Sequence, residues 1–168
     1  MPSTHLTKRV RAAPDQVFDM VADVENYPVF INLISNLRIT KKISDTDFEA
    51  EAIVSYKMFR ETFRSLIHID RANNIIRVSK AEKGGAVKTL ENKWHFYELS
   101  DGSTAVDFYV EVSLKAFPLN MLVNQKMDRA SEVIMGAFER RAAKVCKVVG
   151  DETPSPELRA DLAAVRSV

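Results

Sequence analysis

The stretch Asp107-Phe108-Tyr109-Val110-Glu111-Val112-Ser113-Leu114-Lys115-Ala116-Phe117-Pro118-Leu119-Asn120-Met121-Leu122-Val123 changes its hydrophobic period halfway along. Phe108, Val110, Val112 and Leu114 alternate with Asp107, Tyr109, Glu111 and Ser113, the pattern of a strand with one buried face. After Phe117-Pro118 the apolar residues follow a helical period: Leu119, Leu122, Val123, Met127, Ala130, Val133, Ile134, Ala137, Phe138 and Val145. The spacing predicts one helix reaching about residue 149, some 45 Å long at 1.5 Å per residue.

Upstream, the same alternation recurs. Leu90, Asn92, Trp94 and Phe96 share a face opposite Thr89, Glu91, Lys93 and His95. Phe48, Ala50, Ala52, Val54, Tyr56 and Met58 share another, opposite Glu49, Glu51, Ser55 and Lys57. Asp45-Thr46-Asp47, Ala72-Asn73-Asn74 and Asp101-Gly102 supply hairpin turns. Residues 82–86 read as a loop. Near the N-terminus, residues 4–10 read as a strand. Ala13-Pro14-Asp15 then opens a helix, with proline in the first turn and a carboxylate at the positive dipole end, which turns Val17, Phe18 and Val21 inward. A second short helix is expected from Asp23 to about Asn26–Tyr27, ended by Pro28.

These elements define an α+β chain: one strand, two short helices, a curved antiparallel sheet of six to seven strands in all, and one long helix. A curved sheet with one apolar face and a single amphipathic helix buries both by wrapping around the helix. Curvature keeps the two from closing fully, so an internal hydrophobic cavity is expected. Gly150 and the prolines at 154 and 156 mark the end of that domain, predicted as residues 1–149, with 150–168 as a flexible tail.

The 168 residues are 46% hydrophobic and 28% charged with a net charge of +1. That balance suits a globular domain and argues against a broad nucleic-acid footprint, DNA included. The single Cys146 permits no internal disulfide. The first residues lack the apolar core of a secretory signal, and no apolar run is long enough to span a bilayer. The expected location is cytoplasmic, peripheral to the inner membrane.

Catalytic constellations are sparse. The chain has no phosphate-cradling glycine motif, no nucleophile elbow and no metalloprotease motif. His5, His68 and His95 stand apart, with His68 and His95 on outward or edge positions, and no metal is expected. Asn92 and Tyr56 are the informative polar groups because their register turns them inward. Each either hydrogen-bonds the backbone or orients a ligand's polar head. Residues 27–34 are densely apolar and serve as a lid or a rim. Met58 and Phe59, flanked by Lys57, Arg60 and Arg64, form a second apolar tip with basic flanks. Arg140, Arg141, Lys144 and Lys147 crowd the end of the long helix, where they complement its dipole.

Together, three segments resemble the coenzyme Q-binding, START-like proteins of the polyketide cyclase superfamily. They are Val17-Phe18-Asp19-Met20-Val21-Ala22-Asp23-Val24-Glu25-Asn26-Tyr27-Pro28-Val29-Phe30, Leu90-Glu91-Asn92-Lys93-Trp94-His95-Phe96 with Asp101-Gly102-Ser103, and Met135-Gly136-Ala137-Phe138-Glu139-Arg140-Arg141-Ala142. The chain departs from that pattern at Asn32, Ile34 and Gly85-Ala86-Val87.

The resemblance implies a helix-grip fold with a hydrophobic tunnel and non-catalytic binding of ubiquinone or a similar isoprenoid lipid. Ubiquinone is then a ligand rather than a cofactor, held or carried in support of respiration and quinone biosynthesis. Relatives of this kind include a bacterial ribosome-association toxin, so the ribosome is an alternative partner. A cyclase-type enzyme is a further alternative. The expected ligand-binding residues are Tyr27, Phe30, Val54, Tyr56, Asn92, Trp94, Phe96, Phe108, Val110, Leu122 and Met127. Ile31, Met58, Phe59 and Arg60 are expected to meet a membrane surface transiently.

Overall fold

In a computed structural model, which describes residues 3–166, seven strands form one antiparallel sheet in the order β1-β7-β6-β5-β4-β3-β2. The strands are β1 (Ser3–Val10), β2 (Ile34–Lys42), β3 (Asp47–Tyr56), β4 (Phe59–Asp70), β5 (Ile75–Gly85), β6 (Val87–Glu98) and β7 (Thr104–Leu114). Helices α1 (Pro14–Ala22) and α2 (Tyr27–Phe30), separated by a 3-10 turn (Val24–Asn26), carry the chain from one sheet edge to the other. Helix α3 (Phe117–Val145) lies against β1 and β7 and touches α1 and α2. The helix-grip architecture implied by the sequence is therefore the one observed.

The alternation sorts as expected. Trp94 on β6 reaches the α3 ring of Phe138, which marks its face as the concave one. Pairing carries that face across the sheet: Trp94 lies opposite Ile76 and Phe108, and Ile76 lies opposite Ile69. Val17, Phe18 and Val21 of α1 are buried against it. The outer face is polar, with Glu51 held by Arg38 and Arg64 and His68 by Asp47. Edge strand β2 carries exposed Arg38, Lys41 and Lys42, a charge pattern that discourages pairing with another chain.

Four local expectations change. Pro28 sits in the first turn of α2 rather than ending a helix, a position where its missing N–H costs nothing. Residues 82–85 are strand rather than loop. β5 runs to Gly85, whose φ of +68° and approach to the Thr62 carbonyl exclude a side chain, since a Cβ there would lie 2.6 Å from that oxygen. Helix α3 stops at Val145, short of residue 149. The Lys147 N–H donates to Gln16 Oε1 and the Val149 N–H to the Arg11 carbonyl, so α1 and the link that follows β1 draw the chain off the helix axis. The buried stripe of α3 runs through Met127, Ser131, Met135, Phe138 and Ala142, and Val133 is 53% exposed.

Residues 150–168, expected as a flexible tail, carry helix α4 (Pro156–Arg166). Its Leu158 is buried with Leu99 and Ala105 on the convex side of the sheet, with Tyr97, Leu162 and Val165 packed around them. Gly150, with φ +82°, lies against Asp101 and Arg9, where a Cβ would overlap the Asp101 carboxylate.

Candidate functional site

The concave face divides into two parts. At the end where β1 stops and α3 finishes, aromatic side chains close the space. Phe138 meets Trp94 at 4.9 Å and both Tyr27 and Phe30 at 5.1 Å between ring centroids. Trp94 meets Phe108 at 4.6 Å, and Phe18 meets Phe96 at 5.4 Å. Such edge-to-face pairs each add about 0.5–1.5 kcal/mol beyond area burial. Phe18, Phe96 and Met135 are almost completely buried.

Towards the other end the same face loosens. Val54, Phe63, Val78, Leu90, Val110 and Val112 occupy inward register positions yet stay half-buried. Leu119, Val123, Ala130 and Ile134 of α3 are half-buried too. The backbone of α3 lies closest to β1 and β7 and approaches β3 to β5 less closely. At the outer end Val87 and Leu114 are buried again beside the first turn of α3, where Asn120 Oδ1 accepts the Leu114 N–H. The result is an apolar groove with a sealed inner end.

Several polar groups share this groove by register. Ser65 lies opposite Ala50 and Lys80, and Glu61 lies opposite Val54. None of the three stands among the residues expected from the sequence. Along β4 the alternation Phe59, Glu61, Phe63, Ser65, Ile67, Ile69 is the signal that could have found Ser65 and Glu61. Asn92 marks the border between the two parts. Its Nδ2 donates to the Tyr109 carbonyl at 2.8 Å, and its Oδ1 accepts the Trp94 indole N–H at 3.0 Å. Its amide is thus bound to the protein itself, the plainer of the two expectations for it.

The structure divides the expected ligand-binding residues accordingly. Val54, Asn92 and Val110 lie on the loose part. Trp94, at 4% exposure, together with Phe96, Phe108 and Met127, belongs to the buried core. Tyr27 and Phe30 are half-buried in the aromatic wall. The Tyr27 hydroxyl donates to the Val21 carbonyl, and burial, with the Asp23 charge adding to it, pushes that phenol above its ordinary pKa. Tyr56 is exposed beside the β3–β4 hairpin tip, with Lys57 Nζ 5.4 Å from its ring centre. Leu122 lies five residues before Met127, roughly 140° round the helix at 100° per residue, and so off the buried stripe.

Of the expected membrane contacts, Ile31 is a correction. It is 2% exposed, because its N–H bonds back to the Tyr27 carbonyl and its side chain joins the core. Met58, Phe59 and Arg60 are exposed at the hairpin. His5, His68 and His95 all lie on the outer face. The first two pair with Asp107 and Asp47, and His95 stacks on Tyr97. Burial, helped by Lys93, lowers the His95 pKa. Burial, helped by Asp15 and Asp19, raises that of Cys146, so it is not an activated thiol. Among the described residues no helix is long and apolar enough to cross a membrane, and none group as a metal site.

The chain is similar to known proteins over most of its length. A ribosome association toxin RatA from Rickettsia prowazekii is 27% identical over 148 residues, covering 88% of this chain and 100% of that protein. An 18 kDa protein from Caulobacter crescentus, known from a solution structure, is 31% identical, with a TM-score of 0.70 over 86% of this chain and 97% of that one. An aromatase/cyclase from a Streptomyces species shares the fold at 17% identity, with a TM-score of 0.75 over 84% of this chain and 93% of that one. Residues 10–139 match the family model for polyketide cyclase/dehydrase and lipid transport, and the chain belongs to that family.

Proposed function

We propose that the protein binds the isoprenoid tail of a quinone, ubiquinone or a close relative, in the loose part of the groove, without catalysing a reaction on it. It then acts as a quinone chaperone or carrier. The observation that carries this reading is the contrast in burial along one apolar face. Val54, Phe63, Val78, Leu90, Val110 and Val123 point into the grip yet keep part of their surface in water. Covering such surface is worth roughly 25 cal/mol per Å2 before ordering costs. A flexible polyisoprenoid tail fits an elongated apolar strip, and Ser65 or Lys80 would meet the oxygens of its head group.

The test is mass spectrometry of an organic extract from protein purified out of a ubiquinone-producing bacterium. Stoichiometric quinone in the parent, absent from a folded Val123→Arg variant, is the expected result. An empty extract from the parent, still empty after incubation with added quinone, sinks the proposal.

A second reading follows from the Rickettsia relative, a ribosome association toxin. Under it, the chain associates with ribosomal subunits. Co-sedimentation with subunits at low salt, lost as salt rises, would favour it.

A further inference from the structure

Three segments meet at the end of the sheet where α3 begins. The Ala86 N–H donates to the Thr62 carbonyl at 3.4 Å, and the Lys115 N–H donates to the Ala86 carbonyl at 2.9 Å. These bonds tie the β3–β4 hairpin, the β5–β6 turn and the β7–α3 link into one rim. The rim exposes large apolar side chains: Met58 at 98%, Phe117 at 73%, and also Phe59 and Met121. It also exposes Lys57, Arg60, Lys83, Lys88 and Lys115, against exposed Glu82 and half-buried Glu61. That is five positive charges to two negative, in a chain whose net charge is +1. None of the five basic groups joins an ion pair among the described residues.

Folding alone does not account for this arrangement. The two-residue hairpin turn holds Lys57 at φ +53°, a conformation that favours Asn, Asp or Gly. It thereby thrusts Met58 fully into water, where an apolar side chain gains nothing. The first turn of α3 likewise exposes Phe117 beside a crevice of about 410 Å3 lined by Lys88, Ser113, Lys115, Asn120 and Asn124. Lysines and amide donors around a space of that size suit a phosphodiester.

We infer that this rim is a docking surface for an anionic lipid bilayer. Met58, Phe59, Phe117 and Met121 enter the head-group region. The five basic residues lie over the lipid phosphates, and the crevice beside Phe117 takes one head group. The hairpin tip and the start of α3 lie at the same end of the sheet with β5 and β6 between them, so both can meet one surface. The loose part of the groove, with Val54, Phe63, Leu90 and Val112, runs towards this end, so docking would bring it to the lipid phase. The inference deepens the groove reading, but vesicle binding is measured without any groove ligand, so either can fail alone.

The experiment is flotation of the full chain with vesicles of phosphatidylglycerol and phosphatidylcholine, or of phosphatidylcholine alone. Strong binding to the anionic vesicles is expected, falling as salt rises. Each basic residue near such a surface contributes about fivefold in partition. Lys88→Glu with Lys115→Glu should therefore weaken binding by more than tenfold. Met58→Asp with Phe117→Asp should do the same, although these exposed positions leave the thermal unfolding curve unchanged. Absence of flotation at low salt, or flotation unaltered in both double variants, overturns the inference. So does binding to ribosomal subunits in place of vesicles.

Discussion

The two ends of one concave face are built from similar residues and packed to different degrees. At the inner end, Phe138 is enclosed by Trp94, Tyr27 and Phe30, and Trp94 by Phe108. At the outer end, Val54, Val78 and Val110 share the same inward register, and Val123 stands one helical turn before buried Met127 on α3, yet all four remain half-buried. The difference lies in side-chain size and in where α3 passes. Rings are large enough to bridge from sheet to helix, whereas the shorter valine side chains are not. Apolar periodicity therefore identifies the face but not which part of it is filled by the protein itself.

That contrast can be broken by substitution. Phe138→Ala removes the ring that joins three others, and it should lower unfolding stability by about 3–5 kcal/mol in a urea titration. A loss under about 1 kcal/mol would mean the inner end is not the core. Gly150→Ala strikes the tie between the segment after α3, the β6–β7 turn and Arg9, since the new Cβ would overlap Asp101 at a positive φ. A cost of about 1–3 kcal/mol, read as a lower urea midpoint at unchanged slope, is expected. Val123→Ala in the loose part should cost under about 1.5 kcal/mol and reduce retained ligand in the extract. A larger cost would place Val123 in the core after all.

A smaller effect concerns pH. Burial alone would raise the Asp101 carboxyl, but hydrogen bonds from the Ser103 hydroxyl and N–H, together with Arg9, outweigh it and hold the pKa below 3.8. The stability this group contributes is present above that value and is lost as pH falls through the lower folded pKa. Melting temperatures at pH 5 and pH 3 should therefore differ less in Asp101→Asn than in the parent. An equal drop in both would show that this network does not shape acid sensitivity.

Much of the architecture was legible in the sequence. The clean alternation in β3, β6 and β7 and the period change after Pro118 carry the sheet and the long helix. The failures were places where tertiary contacts override local signal. Gln16 and Arg11 end α3 before residue 149. Ser131 is buried where Val133 is not, because packing selects one side of a stripe wider than the contact.

The candidate site was harder to read. A tryptophan, two phenylalanines and a methionine assigned to the ligand turned out to fill the inner end, because period two gives a residue's face but not the distance to what lies opposite. Ile31 read as rim and is core, because the turn after α2 points it inward. Lys80, being polar, gives no hydrophobic signal, and Ser65 is placed only by the alternation of its apolar neighbours along β4. Leu158 looked like tail and is buried against Leu99 and Ala105, contacts made across long sequence separations.

The central claim is that the loose part receives a ligand while the aromatic part does not. Trp94 is the chain's one tryptophan, and its indole donates to Asn92 at the border between the two. Its fluorescence therefore reports on a quinone in the groove. Titration with a short-chain ubiquinone should quench it saturably in the parent and leave it unquenched in Val123→Arg. Quenching that fails to saturate, or that survives Val123→Arg unchanged, would contradict the claim.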